Sequence, residues 1–219
     1  MAGPIEEKFV RDNLSKGTVF EFGCNPGKFT KSLSDAGYDV IGIDLYDAEI
    51  KDGYKFIHGD ILNTKIDSVF DNVIAVSSIE HAGIESDNFK DRDERNLDCI
   101  QSVADSLVAL VKENGLLIVT VPFGDGRTYY VDKNGNNGTQ EEIPNPAWGF
   151  RTFSFVSLRD LFKDLDVVKA ISYTKVGEEY FDIRSWEPIQ DVECKNHNNK
   201  KRGVLCFVLK KASGGDKVG

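Results

Sequence analysis

The stretch Thr18-Val19-Phe20-Glu21-Phe22-Gly23-Cys24-Asn25-Pro26-Gly27 decides the fold. A β-branched and aromatic run, suited to a strand, gives way to two glycines and a proline. Gly23 and Gly27 permit a sharp turn and close approach of a ligand to the backbone. Pro26 stands just before a helix, where its missing N–H costs nothing. From Gly27 to Ala36, Phe29, Leu33 and Ala36 share one helical face, and Gly37 ends the helix. Asp39-Val40-Ile41-Gly42-Ile43 then forms a second strand that closes on Asp44. Strand, tight turn, helix and strand in this order make a parallel βαβ unit with a right-handed crossover.

The same rhythm continues outward. Ile5 to Leu14 is a short helix of mixed charge ahead of the first strand. Tyr54 to His58 is a third strand ending at Gly59-Asp60, and Asp71 to Val76 is a fourth. A long helix is expected from Asp93 to Lys112, with an apolar stripe of Leu97, Ile100, Val103, Ala104, Leu107, Leu110 and Val111. Asn114-Gly115 ends it. The unbroken apolar run Leu116 to Val121 suits a strand buried on both faces of a parallel sheet. Phe123 to Phe153 interrupts the alternation with Gly, Asn, Pro and aromatic residues, and is expected to be a long functional loop. Ser157 to Leu165 resumes as helix and Val167 to Val176 as strand. Gly177 to Gly203 is again irregular, and Val204 to Leu209 is the last strand. These elements make one α/β domain over residues 1–211, with a lid-like insertion at 123–153 and a mobile tail at 212–219.

Composition narrows the function. The formal net charge of -9 argues against a domain built to track nucleic-acid phosphates, and Lys200-Lys201-Arg202 reads as a solvated loop. No apolar run approaches the roughly 18–20 residues that span a bilayer. Met1-Ala2-Gly3-Pro4 leads into charge rather than into a signal peptide. A cytoplasmic setting with reduced thiols follows. Cys99 and Cys206 read as core thiols. Cys194 and His197 form a lone pair without the partners of a zinc site, so no metal is assigned.

Chemistry collects where strands hand over to loops, the edge at which open α/β sheets bind ligands. Asp44 follows the glycine turn by about 20 residues, the spacing at which an acid accepts ribose hydroxyls. Asp60 ends the next strand and suits an adenine edge. Three acids, Glu21, Asp44 and Asp60, thus stand at the ends of three consecutive strands. The turn lacks the G-x-G-x-x-G spacing of a dinucleotide fingerprint.

Together, Val19-Phe20-Glu21-Phe22-Gly23-Cys24-Asn25-Pro26-Gly27, Val40-Ile41-Gly42-Ile43-Asp44, Gly59-Asp60-Ile61 and Phe70-Asp71-Asn72-Val73-Ile74 resemble the motifs of class I S-adenosylmethionine-dependent methyltransferases. The stretch Leu107 to Pro122 fits as well. The resemblance implies a Rossmann-like three-layer sandwich around a seven-stranded, mostly parallel sheet whose last strand is antiparallel. It implies S-adenosylmethionine as cofactor. Glu21 would hold the methionine amino group, and Gly23, Cys24 and Gly27 would line the cofactor with backbone. Asn25 stands where many members carry a second glycine. Asp44 with Leu45 would take the ribose, Asp60 and Ile61 the adenine, and Ser77 would border the sulfonium.

Methyl transfer also needs a positioned nucleophile and, for most acceptors, a base. Ser77-Ser78-Ile79-Glu80-His81-Ala82-Gly83 follows the fourth strand, beside the expected methyl group. His81 is the candidate general base and Glu80 its orienting or substrate-contacting partner. Equally, His81 reads as a residue packed under the loop and hydrogen-bonded to backbone. The Asn/Asp-Pro-Pro-aromatic signature of amide-nitrogen methylation is absent. The Ser77 to Gly83 run, with Thr120-Val121-Pro122-Phe123-Gly124, resembles a prokaryotic subgroup associated with glycans and surface polysaccharides. A small-molecule or sugar acceptor, methylated on a hydroxyl or uronic carboxyl oxygen, follows from that resemblance. Tyr129, Tyr130 and Trp148 suit a sugar's apolar face. A metal-assisted variant would draw on Asp125 and Asp182. The rival readings are a nicotinamide oxidoreductase and a non-catalytic cofactor-binding protein.

Overall fold

In the computed structural model, residues 3–25, 27–47, 53–84, 99–139, 141–143, 147–176, 183–189 and 203–213 are described. Pro26, Asp182, Cys194, His197 and Lys200-Lys201-Arg202 lie outside them, as does the expected helix start at Asp93. The chain opens with α1 (Pro4–Asn13), β1 (Thr18–Phe22), α2 (Lys28–Asp35), β2 (Asp39–Asp44), β3 (Lys55–His58) and β4 (Phe70–Val76). It continues with α3 (Cys99–Leu110), β5 (Val111–Phe123), β6 (Thr128–Val131), β7 (Asn137–Gly138) and β8 (Trp148–Arg151). It closes with α4 (Phe155–Leu161), β9 (Asp166–Lys175), β10 (Trp186–Ile189) and β11 (Gly203–Lys210).

Eight strands form the main sheet in the order β10-β9-β11-β5-β4-β1-β2-β3. β1 to β5 pair in parallel, and β11 runs antiparallel between β5 and β9. The antiparallel last strand is as expected, but the count of seven is not. The eighth, β10, lies in the stretch read as irregular and adds antiparallel to the outer edge of β9. Pro188 hid it, because a proline argues against a strand except at a sheet edge, where this strand lies. The described part of the long helix ends earlier than expected, at Leu110, because Val111 already pairs with Phe70.

Alternation along the central strands sorts side chains onto two faces. Val73 and Ala75, Leu117, Val119 and Val121, and Leu205, Phe207 and Leu209 meet α3 and α4 through Val103, Leu107, Leu158 and Phe162. Ile74 and Val76, Ile118, and Val204, Cys206 and Val208 meet α1 and α2 through Ile5, Phe9, Val10, Phe29 and Leu33. This is the three-layer sandwich. The helix after β1 covers one face and the helix after β4 covers the other, although β1 and β4 are neighbours. The connections therefore diverge at the carboxyl ends of β1 and β4, which opens the crevice where such sheets bind ligands.

The insertion is not irregular. β7, β6 and β8 form a separate three-stranded antiparallel sheet. Its two ends meet, with Phe123 bridged to Phe153 and the Gly124 amide donating to the Phe153 carbonyl at 3.0 Å.

The opposite end of the sheet carries a purely structural acid. Asp71 accepts from the Thr18 amide and hydroxyl, both at 2.8 Å, and pairs with Lys112 Nζ at 2.9 Å. These donors hold its carboxyl down at about 2, the Thr18 amide contributing most. Asp71→Ala is expected to destabilise the protein by about 1–3 kcal/mol in urea unfolding at pH 7, the scale of losing a charged acceptor. Because the folded pKa is depressed, this contribution is present above about 3.8 and is lost as pH falls through about 2. The gap between wild type and variant therefore closes in acid.

Candidate active site

The turn after β1 is held open by its neighbours. Gly23 has φ +67°, and the Gly23 and Cys24 amides donate to the Ile43 carbonyl at 2.9 and 3.3 Å. A Cβ on Gly23 would lie 2.4 Å from that of Ser78, so the loops after β1 and β4 meet here, and only glycine fits. Asn25 takes φ +39°, a left-handed conformation that asparagine tolerates better than most residues. Its amide donates to Asp44 Oδ2 at 2.6 Å, while Asp44 Oδ1 accepts from the Tyr46 amide at 2.9 Å. Asp44 thus ties the glycine turn to the end of β2. Gly27 caps the start of α2 in extended geometry. Cys24 turns its thiol inward over Gly42, and burial pushes that thiol up, so only its backbone is offered to a ligand.

Glu21, on β1, is 3% exposed and its Oε2 has no hydrogen-bond partner. Burial pushes its carboxyl up to about 8; the nearby Thr30 hydroxyl opposes this, and the Glu7 and Asp44 charges reinforce it. Glu80 follows β4 on a single 3-10 turn (Ile79–His81), is 2% exposed and also leaves Oε2 without a partner. Burial raises its carboxyl well above the usual range, with Glu6 adding to the effect. Two buried carboxylates with unused oxygens need either protons or a cation. These orphaned oxygens fit a ligand that brings positive charge to the crevice.

Asp60 and Ile61 follow β3. Asp60 accepts from the Leu62 amide at 3.0 Å and from Asn63 Nδ2 at 3.3 Å, which shapes the turn. Ile61 is buried in the core, and Leu45 is exposed just past the end of β2. Ser77 follows β4 directly, with φ +44°. Its hydroxyl donates to Glu6 Oε1 at 2.6 Å, so α1 reaches the same edge.

His81 Nδ1 lies 2.7 Å from the Gly149 carbonyl. A carbonyl can only accept, so Nδ1 carries the proton and neutral His81 presents Nε2 as its acceptor. Nε2 is 3.9 Å from Glu80 Oε1, and the side chain is 45% exposed. Packing around the ring lowers its pKa below the ordinary value, and the Gly149 bond only partly offsets this. At neutral pH the ring is therefore a free base. The bond to backbone expected of a merely packed histidine is present, and so is the open nitrogen expected of a base.

The insertion sheet supplies that backbone. Beyond Gly149, Arg151 donates from Nη1 to the Ala82 carbonyl at 3.0 Å, and its buried Nη2 is unpartnered. On the other face of β8, rings follow one another from His81 to Trp148 at 6.0 Å, Phe150 at 5.6 Å and Tyr129 at 5.8 Å. Asp125, weighed as a metal ligand, pairs with Arg127 at 3.0 Å, and no metal-holding cluster occurs among the described residues. Tyr130 is buried rather than offered to solvent.

Sequence reading missed Glu6, Thr120, Thr30 and Arg151. The available signals were slight: Pro4 opening α1, and the Ile5, Phe9 and Val10 stripe, which orients that helix on the sheet.

A methyltransferase-domain family model matches residues 4–168 of the 219, and the chain belongs to that family. Solved structures share the fold. The 1,6-didemethyltoxoflavin-N1-methyltransferase of Burkholderia thailandensis, bound to 1,6-didemethyltoxoflavin and S-adenosylhomocysteine, is 13% identical with TM-score 0.62, over 96% of this chain and 78% of that one. An S-adenosylmethionine-dependent methyltransferase of Methanosarcina mazei is 12% identical with TM-score 0.62, over 93% of this chain and 97% of that one. The N-methyltransferase NodS of Bradyrhizobium japonicum, in complex with S-adenosylhomocysteine, is 12% identical with TM-score 0.54, over 96% and 89%. No curated protein matches. No described helix is long and apolar enough to cross a membrane.

The raised Glu21 carboxyl has a measurable consequence. Its folded value lies above the ordinary 4.5, so its contribution to stability is complete below that pH and is lost as pH rises through about 8. Thermal unfolding of the ligand-free protein should show this loss, and Glu21→Gln should flatten it by up to about 1.4 kcal/mol per pH unit. An unchanged slope in the variant means that Glu21 is already ionised when the crevice is empty.

Proposed function

We propose that this methyltransferase O-methylates a small molecule or saccharide, with a sugar hydroxyl or uronic carboxylate as the favoured acceptor, in a cytoplasmic setting. The cofactor is S-adenosylmethionine. The observation that carries the reading is the pair of buried, unpartnered carboxylates at the crevice between β1 and β4, beside a histidine with a free Nε2. A nicotinamide protein wants the G-x-G-x-x-G spacing, which the turn after β1 lacks.

When bound, the cofactor supplies an electrophilic methyl group on a cationic sulfur. The chain does the rest. Glu21 holds the ammonium, and the backbone of Gly23, Cys24, Asn25 and Gly27 lines the chain of the cofactor. Asp44 accepts the ribose hydroxyls with lone pairs left over from Asn25 and Tyr46, next to Leu45. Asp60 and Ile61 border the adenine, and Ser77 borders the donor end. His81 removes the acceptor proton at Nε2 while the Gly149 carbonyl fixes its tautomer, and Glu80, 3.9 Å from that nitrogen, orients the ring or contacts the acceptor.

Residues 123–153 cover the acceptor side of the one domain spanning 1–211, with 212–219 as its tail. Trp148, Phe150 and Tyr129 offer ring faces to the apolar side of a sugar. Arg151, buried and without a carboxylate partner, suits an acceptor that brings its own anionic group, as a uronate does.

Calorimetric titration with S-adenosylhomocysteine and NAD side by side tests the class. S-adenosylhomocysteine should bind and raise Tm by mass action, and NAD should do neither. Heat and a Tm shift from NAD alone would overturn the reading. Methyl transfer to a panel of sugars and uronates tests the acceptor side. His81→Ala should lower kcat by about 10²–10⁴, the range for losing a general base, with S-adenosylhomocysteine affinity nearly unchanged. Full turnover by the variant would leave His81 a packing residue.

A further inference from the structure

α1 was read as a short helix ahead of the fold, yet it carries the most completely bonded carboxylate of the site. Glu6 is fully buried. Its Oε2 accepts from the Gly3 amide at 2.6 Å, and its Oε1 accepts from the Ser77 hydroxyl at 2.6 Å and the Thr120 hydroxyl at 2.7 Å. The Ser77 amide donates to Thr120 Oγ1 at 3.2 Å and to the Thr120 carbonyl at 3.0 Å. Glu6, Thr120 and Ser77 thus close a ring in which both the amide and the hydroxyl of Ser77 answer to one carboxylate.

Three features separate this from an ordinary helix anchor. Ser77 is one of the few non-glycine residues with positive φ, a conformation that persists only where surroundings impose it. Ser77 joins β4 to the turn bearing Glu80 and His81, so its setting fixes both. Among the described residues no lysine, arginine or histidine is bonded to Glu6, whose bonded partners are the neutral donors of Gly3, Ser77 and Thr120. A charge buried that way acts at short range with little screening.

We propose that Glu6 is a positioning residue that sets Ser77 and places a fixed negative charge one hydrogen bond behind the donor end, favouring the cationic cofactor over its neutral product. This rests on the reading of the crevice as an S-adenosylmethionine site. It also gives the protein a way to release product, since S-adenosylhomocysteine lacks the sulfonium charge that Glu6 attracts.

The two ligands differ by a methyl group and by that charge, which makes their affinity ratio the readout. Kd values for S-adenosylmethionine and S-adenosylhomocysteine would be measured by calorimetry on wild type, Glu6→Gln, Glu6→Asp and Thr120→Val. Glu6→Gln should weaken S-adenosylmethionine at least fivefold more than S-adenosylhomocysteine. Thr120→Val removes one donor and keeps the charge, so Tm should fall with the ratio held within twofold. Glu6→Asp, the variant to rely on if the glutamine form does not fold, draws the carboxylate back by about one C–C bond length. Its ratio should fall at least twofold. Equal losses for both ligands, or an unchanged ratio in both Glu6 variants, would overturn the proposal and leave Glu6 a structural anchor. Failure of wild type to bind either ligand would instead overturn the methyltransferase reading itself.

Discussion

The structure depends on burying carboxyl groups at one edge of a hydrophobic sheet. Glu21, Glu80 and Glu6 are each almost wholly removed from water, beside Asp44 at the end of β2. Burial of unpaired carboxylates costs several kcal/mol unless they bind protons, donors or cations. Each acid here has a different solution. Glu6 is saturated by three donors. Asp44 takes two backbone amides. Glu21 and Glu80 are left with unused oxygens and raised pKa values. A site arranged in this way carries unmet demand for positive charge.

The geometry that concentrates the acids is topological. Helices leave β1 and β4 toward opposite faces of the sheet, so the carboxyl ends of these two neighbours cannot be closed over by either layer. The tight contact between Gly23 and Ser78 keeps the floor of this opening narrow. The insertion sheet then covers the side beyond β4 and braces the His81 turn by two bonds, from Gly149 and Arg151. The edge is therefore built from separate parts: the strand ends with the glycine turn, and the added sheet.

Much of this was legible along the chain because it is local. The glycine turn, the strand-end acids and the two helical stripes depend on residues within a few positions of one another, where periodicity and turn chemistry act. The strand β10 was not legible, since Pro188 lowers local strand propensity and only the edge of β9 makes it acceptable. The insertion read as loop because it is rich in Gly, Asn and Pro. Its strands are short, and β6 pairs with β8 across a long sequence gap.

The sequence by itself determined the βαβ order, the two-sided core and the placing of Glu21, Asp44, Asp60 and His81 at strand ends, because strand and helix periods dictate which side chains share a face. Only the tertiary structure decided what each acid does. Residues separated by 71 and 114 positions meet when Glu6 binds Ser77 and Thr120, and those separated by 68 meet when Gly149 fixes the His81 tautomer. No local propensity encodes such contacts, because they arise from how helix and sheet faces dock, and docking is set by the whole hydrophobic core at once.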